Sequence, residues 1–179
     1  MVVWVSLLRA VNLGSRNKVS MPVLRDLLMQ AGFDEVRTYV QSGNIVTRSP
    51  HRSRERVATL VGETVAGHFG VDTPVAVRTP KELRAVLDWN PFPEASAQRP
   101  KLVQVWHLLS TPAPAAVEAL LAEDVPEQIA VRGDEVVVDY GERIQNSKVS
   151  PDWLARRLGV QGTARNWRTA TALVEMSAP

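Results

Sequence analysis

Six side chains offer the chemistry to be tested in this sequence: Arg9, Asn12, Lys18, Lys148, Arg165 and Arg168. All six are cations or amides, the groups that hold anions through charge and N–H donation. The run Asn12-Leu13-Gly14-Ser15-Arg16-Asn17-Lys18 lies between an apolar strand-like segment and a helix opened by Ser20. Backbone N–H groups and a helix dipole receive an anion in that setting. The run is not a nucleotide phosphate loop or a dinucleotide fingerprint, because Gly14 stands alone and no Gly-Lys-Ser/Thr follows. Ser147-Lys148 precedes a second helix start at Ser150-Pro151, with Lys148 as a point charge. In Arg165-Asn166-Trp167-Arg168-Thr169 two arginines flank an amide and an indole. That set suits phosphate binding plus base stacking; equally, Trp167 packs in a core while the arginines pair with acidic residues. Gln41 and Asn44 bracket Ser42-Gly43 at a hairpin tip. Turn chemistry accounts for them, and in a functional reading their amides bond a base or sugar.

Other chemistries lack their residues. The sequence has no cysteine, which removes disulfides, thiol nucleophiles and Cys-based metal sites. His51, His68 and His107 lack metal-ligand spacing, so neither a metal nor a cofactor is expected. No nucleophile elbow and no zinc-protease helix motif occurs. Glu123-Asp124 reads as a solvated helix end.

Charge is uneven along the 179 residues although the net is +2. Residues 1–60 carry +5, residues 61–142 carry −7 and residues 143–168 carry +5. Two basic ends that met would form one positive face. Seventeen of the 21 basic residues are arginine, the better bidentate phosphate ligand. Hydrophobic residues are 45% and charged residues 22%, an ordinary globular composition. Met1–Val11 lacks the basic flank of a signal peptide, and Arg9 interrupts it. No run approaches the roughly 18 apolar residues of a membrane span. A cytoplasmic protein without a membrane partner is the expectation.

The elements that must position these residues follow from pattern. Val2–Val11 reads as a buried strand, and Ser20 caps a helix carrying Leu24, Leu27, Leu28 and Ala31. Strands at 36–41 and 44–48, a helix at 52–69 and a strand at 73–78 complete a β-α-β-β-α-β order, the ferredoxin-like signature. Thr79-Pro80-Lys81-Glu82 is a capping box that opens an additional helix to Trp89. Asn90–Pro100 is the linker. The order then repeats: strand 101–109, a helix opened by Thr111-Pro112 with Val117, Leu120 and Leu121 inward, strands 128–132 and 135–140, a helix from Ser150-Pro151, strand 163–166 and a last helix 168–176. Val3-Trp4 matches Val105-Trp106, and Arg78-Thr79 matches Arg168-Thr169. The pattern therefore predicts an α+β protein of two ferredoxin-like halves, residues 1–89 and 101–179, related by internal duplication. Each half has one sheet face free of its two helices. Those faces are expected to be apolar, with Trp4 and Trp106 on them, and to be covered by one another or by the additional helices.

Several segments resemble the bacterial family known as domain of unknown function 1697. They are Leu7–Gly14, Lys18-Val19 with Met21 and Leu24-Arg25, Thr38–Val46, Asn90-Pro91-Phe92, Asn146-Ser147-Lys148 and Arg165–Thr169. The resemblance spans essentially the whole chain and implies the same α+β fold, with no established activity. Ala10 and Ser15 stand where the family commonly has glycine, and Ala172 where lysine is common.

Function stays open among three classes. The first is an anion-binding module for a nucleotide or nucleic-acid backbone, binding weakly because net charge is small. The second is an enzyme acting on a phosphorylated small molecule, which needs a deep pocket and a base such as Tyr39 or Asp139. The third is a non-catalytic interaction domain. Oligomeric state is not legible.

Overall fold

The computed structural model describes residues 1–178. The chain divides into two compact units, one comprising Met1–Arg84 with the residues from Leu173 on, the other Ala85–Ala172.

The first unit runs β1 (Val2–Leu8), α1 (Met21–Gln30), β2 (Asp34–Tyr39), β3 (Asn44–Ser49), α2 (Arg54–Phe69) and β4 (Val75–Arg78). Its sheet has the order β2-β3-β1-β4, with every pairing antiparallel. Strand residues alternate between faces, so Trp4 and Leu8 pack with Leu24 and Leu28 of α1 and Val57, Val61 and Val65 of α2. Gly70 ends α2 in a left-handed conformation, its N–H donating to Ala66 O. α3 (Pro80–Trp89) opens with a capping box: Thr79 N donates to Glu82 Oε2 at 2.7 Å and Glu82 N to Thr79 Oγ1 at 3.2 Å. The side chain of Ser20, by contrast, forms no cap to α1.

The second unit contains α4 (Pro93–Gln98), β5 (Val103–Leu108), α5 (Pro114–Leu121), β6 (Gln128–Arg132), β7 (Glu135–Asp139), α6 (Pro151–Leu158) and β8 (Gly162–Asn166). α7 (Trp167–Ser177) follows, and the boundary between units falls within α3 and α7. The second sheet has the order β6-β7-β5-β8, the same topology as the first. Trp106 and Leu108 pack with Leu120, Trp153, Leu154 and Leu158. On the opposite face Val103, Val105 and Val137 are covered by Val86 of α3, Ala95 of α4, and Trp167 and Ala170 of α7.

Four expectations are corrected. Trp4 and Trp106 face the paired helices, not the opposite sheet faces, because each alternates with valines that occupy those faces. The 90–100 segment holds a helix of its own, since Pro93 fixes a first-turn φ and Glu94 sits favourably in that turn. α5 starts at Pro114, not at Thr111-Pro112. Leu121, expected inward with Val117 and Leu120, is instead 52% exposed, while Leu120 is buried and Val117 partly buried as expected.

Among the described residues no helix is long and apolar enough to cross a membrane. No group of three or more potential metal ligands occurs among them either.

Candidate functional site

In the first unit, the antiparallel pairing of β1 with β3 and β4 brings the β1–α1 loop beside the β2–β3 turn and the start of β4. The loop is held at its root by Thr73, whose Oγ1 accepts from Arg9 N at 3.0 Å and donates to Arg9 O at 2.7 Å. Arg9 N also donates to Pro74 O at 3.2 Å. Asn12 then ties the loop together. Its Oδ1 accepts from Val19 N at 2.9 Å, and its Nδ2 donates to Val19 O at 2.8 Å and to Gln41 O at 2.7 Å. Asn12 N donates to Asn17 O at 2.9 Å, and Asn17 Nδ2 returns to Ala10 O at 2.9 Å. Asn12 and Asn17 both adopt positive φ, 54° and 49°, a conformation asparagine tolerates better than most residues.

The β2–β3 turn is fitted closely to this loop. A Cβ on Gly43 would lie 2.6 Å from Leu8 Cβ and 2.8 Å from Val11 Cγ2, and its φ is +76°. Only glycine fits there without displacement. The adjacent Asn44 is fully buried, and its Nδ2 donates to Tyr39 O at 3.0 Å and Ser42 Oγ at 2.9 Å. Its amide shapes the turn, whereas the Gln41 side chain is exposed beside the Asn12 loop.

Arg16 and Lys18 project from this pinned loop. Both are exposed, and neither has an ion-pair partner among the described residues. Arg9 is half-buried at the loop's root. With Ser20 making no cap bond and Pro22 lacking an N–H, the first turn of α1 keeps uncapped positive dipole character.

In the second unit the candidates are differently placed. Lys148 Nζ lies 3.6 Å from the Glu123 carboxylate and 5.7 Å from the centre of the Trp153 ring. Arg157 joins the same group, 2.9 Å from Glu123 and 5.5 Å from the ring. The start of α6 already has its acceptor and its negative charge, because Ser150 Oγ accepts from Trp153 N and Asp152 lies in the first turn. Arg165 is buried in β8, donating to Thr163 Oγ1 at 2.9 Å and Ala164 O at 2.8 Å. Burial pushes its guanidinium down to about 10. Asn166 Oδ1 accepts from Thr169 N at 2.9 Å and so caps α7. Trp167 is a core residue whose N–H donates to Pro100 O at 3.1 Å. Arg168 is exposed in the first turn of α7.

Arg9, Asn12, Lys18 and the Gln41–Asn44 turn thus share one sheet end of the first unit. Lys148 lies in the loop before α6, and Arg165, Asn166, Trp167 and Arg168 run from β8 into α7.

Thr73 and Arg16 complete the first group. Thr73 could have been found from topology alone: it lies two residues before β4, the strand that pairs with β1. A polar row on the second sheet also escaped sequence reasoning. His107 is fully buried, with Nδ1 2.8 Å from Glu135 Oε2. The register places Glu135 and Thr163 on either side of it. Polar residues inside apolar strands carry no distinctive spacing, so only the pairing reveals the row.

A family model described as "Protein of unknown function (DUF1697)" matches residues 1–137. Asn146-Ser147-Lys148 and Arg165–Thr169 lie outside those matched residues. A comparison with curated proteins finds no match. A solved structure, described as that of the conserved bacterial protein SP0830 from Streptococcus pneumoniae, is 21% identical and covers 98% of each chain with a TM-score of 0.70. At that identity the likeness concerns the fold.

Proposed function

We propose that this chain, which belongs to the DUF1697 family, is an anion-binding module that takes a nucleotide or nucleic-acid backbone at its β1–α1 loop. The observation that carries this reading is a contrast among the basic candidates. Lys148 is matched by Glu123, and Arg165 is buried. Arg16 and Lys18 stand exposed and unpaired on a loop fixed by the Asn12 amide, beside an uncapped helix start. A pinned loop loses little conformational freedom on binding, which favours even a weak site.

The enzyme reading has less support. Asp139, one of its candidate bases, is buried against Arg99 at 2.6 and 3.3 Å and accepts from Gly141 N. Tyr39 is a half-buried strand residue. The identical strand orders of the two sheets favour an internal duplication, and the absence of cysteine suits a bacterial cytoplasm.

The test is calorimetric titration with ATP and with a short single-stranded oligonucleotide at two salt concentrations. Weak binding is expected, with a log–log salt slope of roughly 0.7 per neutralised phosphate for the single strand. Combined Arg16→Gln and Lys18→Gln substitution should abolish it. Undetectable binding at low salt, or affinity unchanged in the double variant, would overturn the proposal.

A further inference from the structure

Two large apolar side chains stand in solvent among the cations of the β1–α1 loop. Leu13 is 63% exposed and Val40 54%. Leu13 opens a tight turn over Gly14 and Ser15, closed by Arg16 N donating to Leu13 O at 3.1 Å. Val40 lies in the β2–β3 turn, and the 2.7 Å bond from Asn12 Nδ2 to Gln41 O joins the two segments one residue from each. Lys18 precedes Val19, which Asn12 also bonds. Leu13, Val40, the exposed Gln41 and the unpaired Arg16 and Lys18 are thus gathered around one amide.

A lone exposed leucine calls for no account. Val40 does. Its φ is +49°, where a β-branched side chain crowds the following carbonyl. Amides fix the peptides on both sides of it: Asn44 Nδ2 donates to Tyr39 O at 3.0 Å, and Asn12 Nδ2 to Gln41 O. Such a backbone persists only where its surroundings over-determine it, and it concentrates at binding sites. Packing repays little of its cost, because more than half of the side chain is left in solvent.

We propose that the β1–α1 loop binds a nucleotide whose base is unpaired, the base lying against Leu13 and Val40 while Arg16 and Lys18 take its phosphates. This rests on the anion-binding reading of the same loop and adds what the anion is attached to. Apolar side chains cover the face of an unstacked base. A glutamine amide bonds a base edge, and the Gln41 side chain is exposed beside them. A duplex hides its base faces in the stack, and a bare polyphosphate has none.

Calorimetric titration with ATP, inorganic tripolyphosphate, a single-stranded oligonucleotide and its duplex tests this. Tripolyphosphate carries at least the charge of ATP, and a duplex concentrates more phosphate along its length than a single strand. Charge alone therefore favours tripolyphosphate and duplex. The reverse is expected: ATP several times tighter than tripolyphosphate, and the strand tighter than the duplex. Either order between ATP and the strand supports the proposal and shows whether free nucleotides or strands supply the base. Leu13→Ser should weaken ATP about fivefold, the effect of losing part of a leucine's buried area, and leave tripolyphosphate unchanged. Val40→Asn should weaken ATP similarly while raising the denaturant midpoint, since asparagine tolerates positive φ; a purely structural Val40 would move the midpoint alone. Undetectable binding of both ATP and tripolyphosphate removes the anion site and the proposal with it. Tripolyphosphate bound as tightly as ATP, duplex as tightly as the strand, or ATP affinity unchanged in either variant overturns the base contact and leaves the anion site standing. So does Leu13-dependent capture on phosphatidylserine vesicles, which would assign the apolar tip to a lipid surface.

Discussion

Removing the Asn12 side chain is the sharpest test of how the β1–α1 loop is held. Asn12→Ala deletes both bonds to Val19 and the bond to Gln41 O. The Val19 pair is partly buried and should contribute about 1 kcal/mol per bond, and the exposed Gln41 bond about 0.5 kcal/mol. The φ of +54° adds a further cost, about 1 kcal/mol for alanine in the left-handed region. The expected loss is therefore about 3–4 kcal/mol, read by urea denaturation. It corresponds to a melting temperature lower by roughly 6–15 °C for a chain of this size. Asn12→Gly separates the two causes. It loses the same three bonds without the φ strain, so it should retain about 0.5 kcal/mol relative to Asn12→Ala once the greater freedom of glycine in the unfolded chain is subtracted. Both variants should also weaken ATP binding, because Arg16 and Lys18 would ride on a loop no longer fixed. Asn12→Ala within about 0.5 kcal/mol of the parent, the ordinary range of a neutral surface change, would refute the account of the loop.

Ala10 has φ +53° in the same loop and is exposed, so Ala10→Gly should stabilise the protein by about 0.5 kcal/mol despite the glycine entropy cost; denaturant midpoints check this. Trp167→Ala should cost about 3–5 kcal/mol because the ring fills the core over β5 and β7, whereas the exposed neighbour Arg168→Ala should stay within about 0.5 kcal/mol. Burial works to raise the pKa of Glu82, but bonds from Thr79 N and Oγ1 and the Arg54 charge outweigh it, and the carboxyl sits below its ordinary 4.5. A depressed folded pKa makes this contribution complete above about 4.5 and lost as pH falls through the folded value; melting temperature against pH should fall less steeply on the acid side in Glu82→Gln.

Element order was legible because its signals are local. Gly70 and Gly159 stop helices through their own backbone conformation, and Gly133-Asp134 turns the β6–β7 hairpin within two residues. Thr79 and Glu82 cap a helix three residues apart. The order of elements that such signals delimit repeats in both units, so fold class and topology followed from the chain alone. Tertiary structure decided which way Trp4 and Trp106 point, because each has an apolar valine beside it (Val3 and Val5, and Val105) and the polar Ser6 and His107 of these strands are themselves buried, so neither strand shows a clean polar face. It also decided which candidate cations remain open. Lys148 meets Glu123 from 25 residues away, and Arg165 is buried by the strands and helices around β8. Asn12 bonds Gln41 across 29 residues. Such pairings depend on sheet register and loop path, which residue type and spacing do not encode; residue types name the chemical groups, and the folded chain determines which of them are buried or paired and which stay exposed.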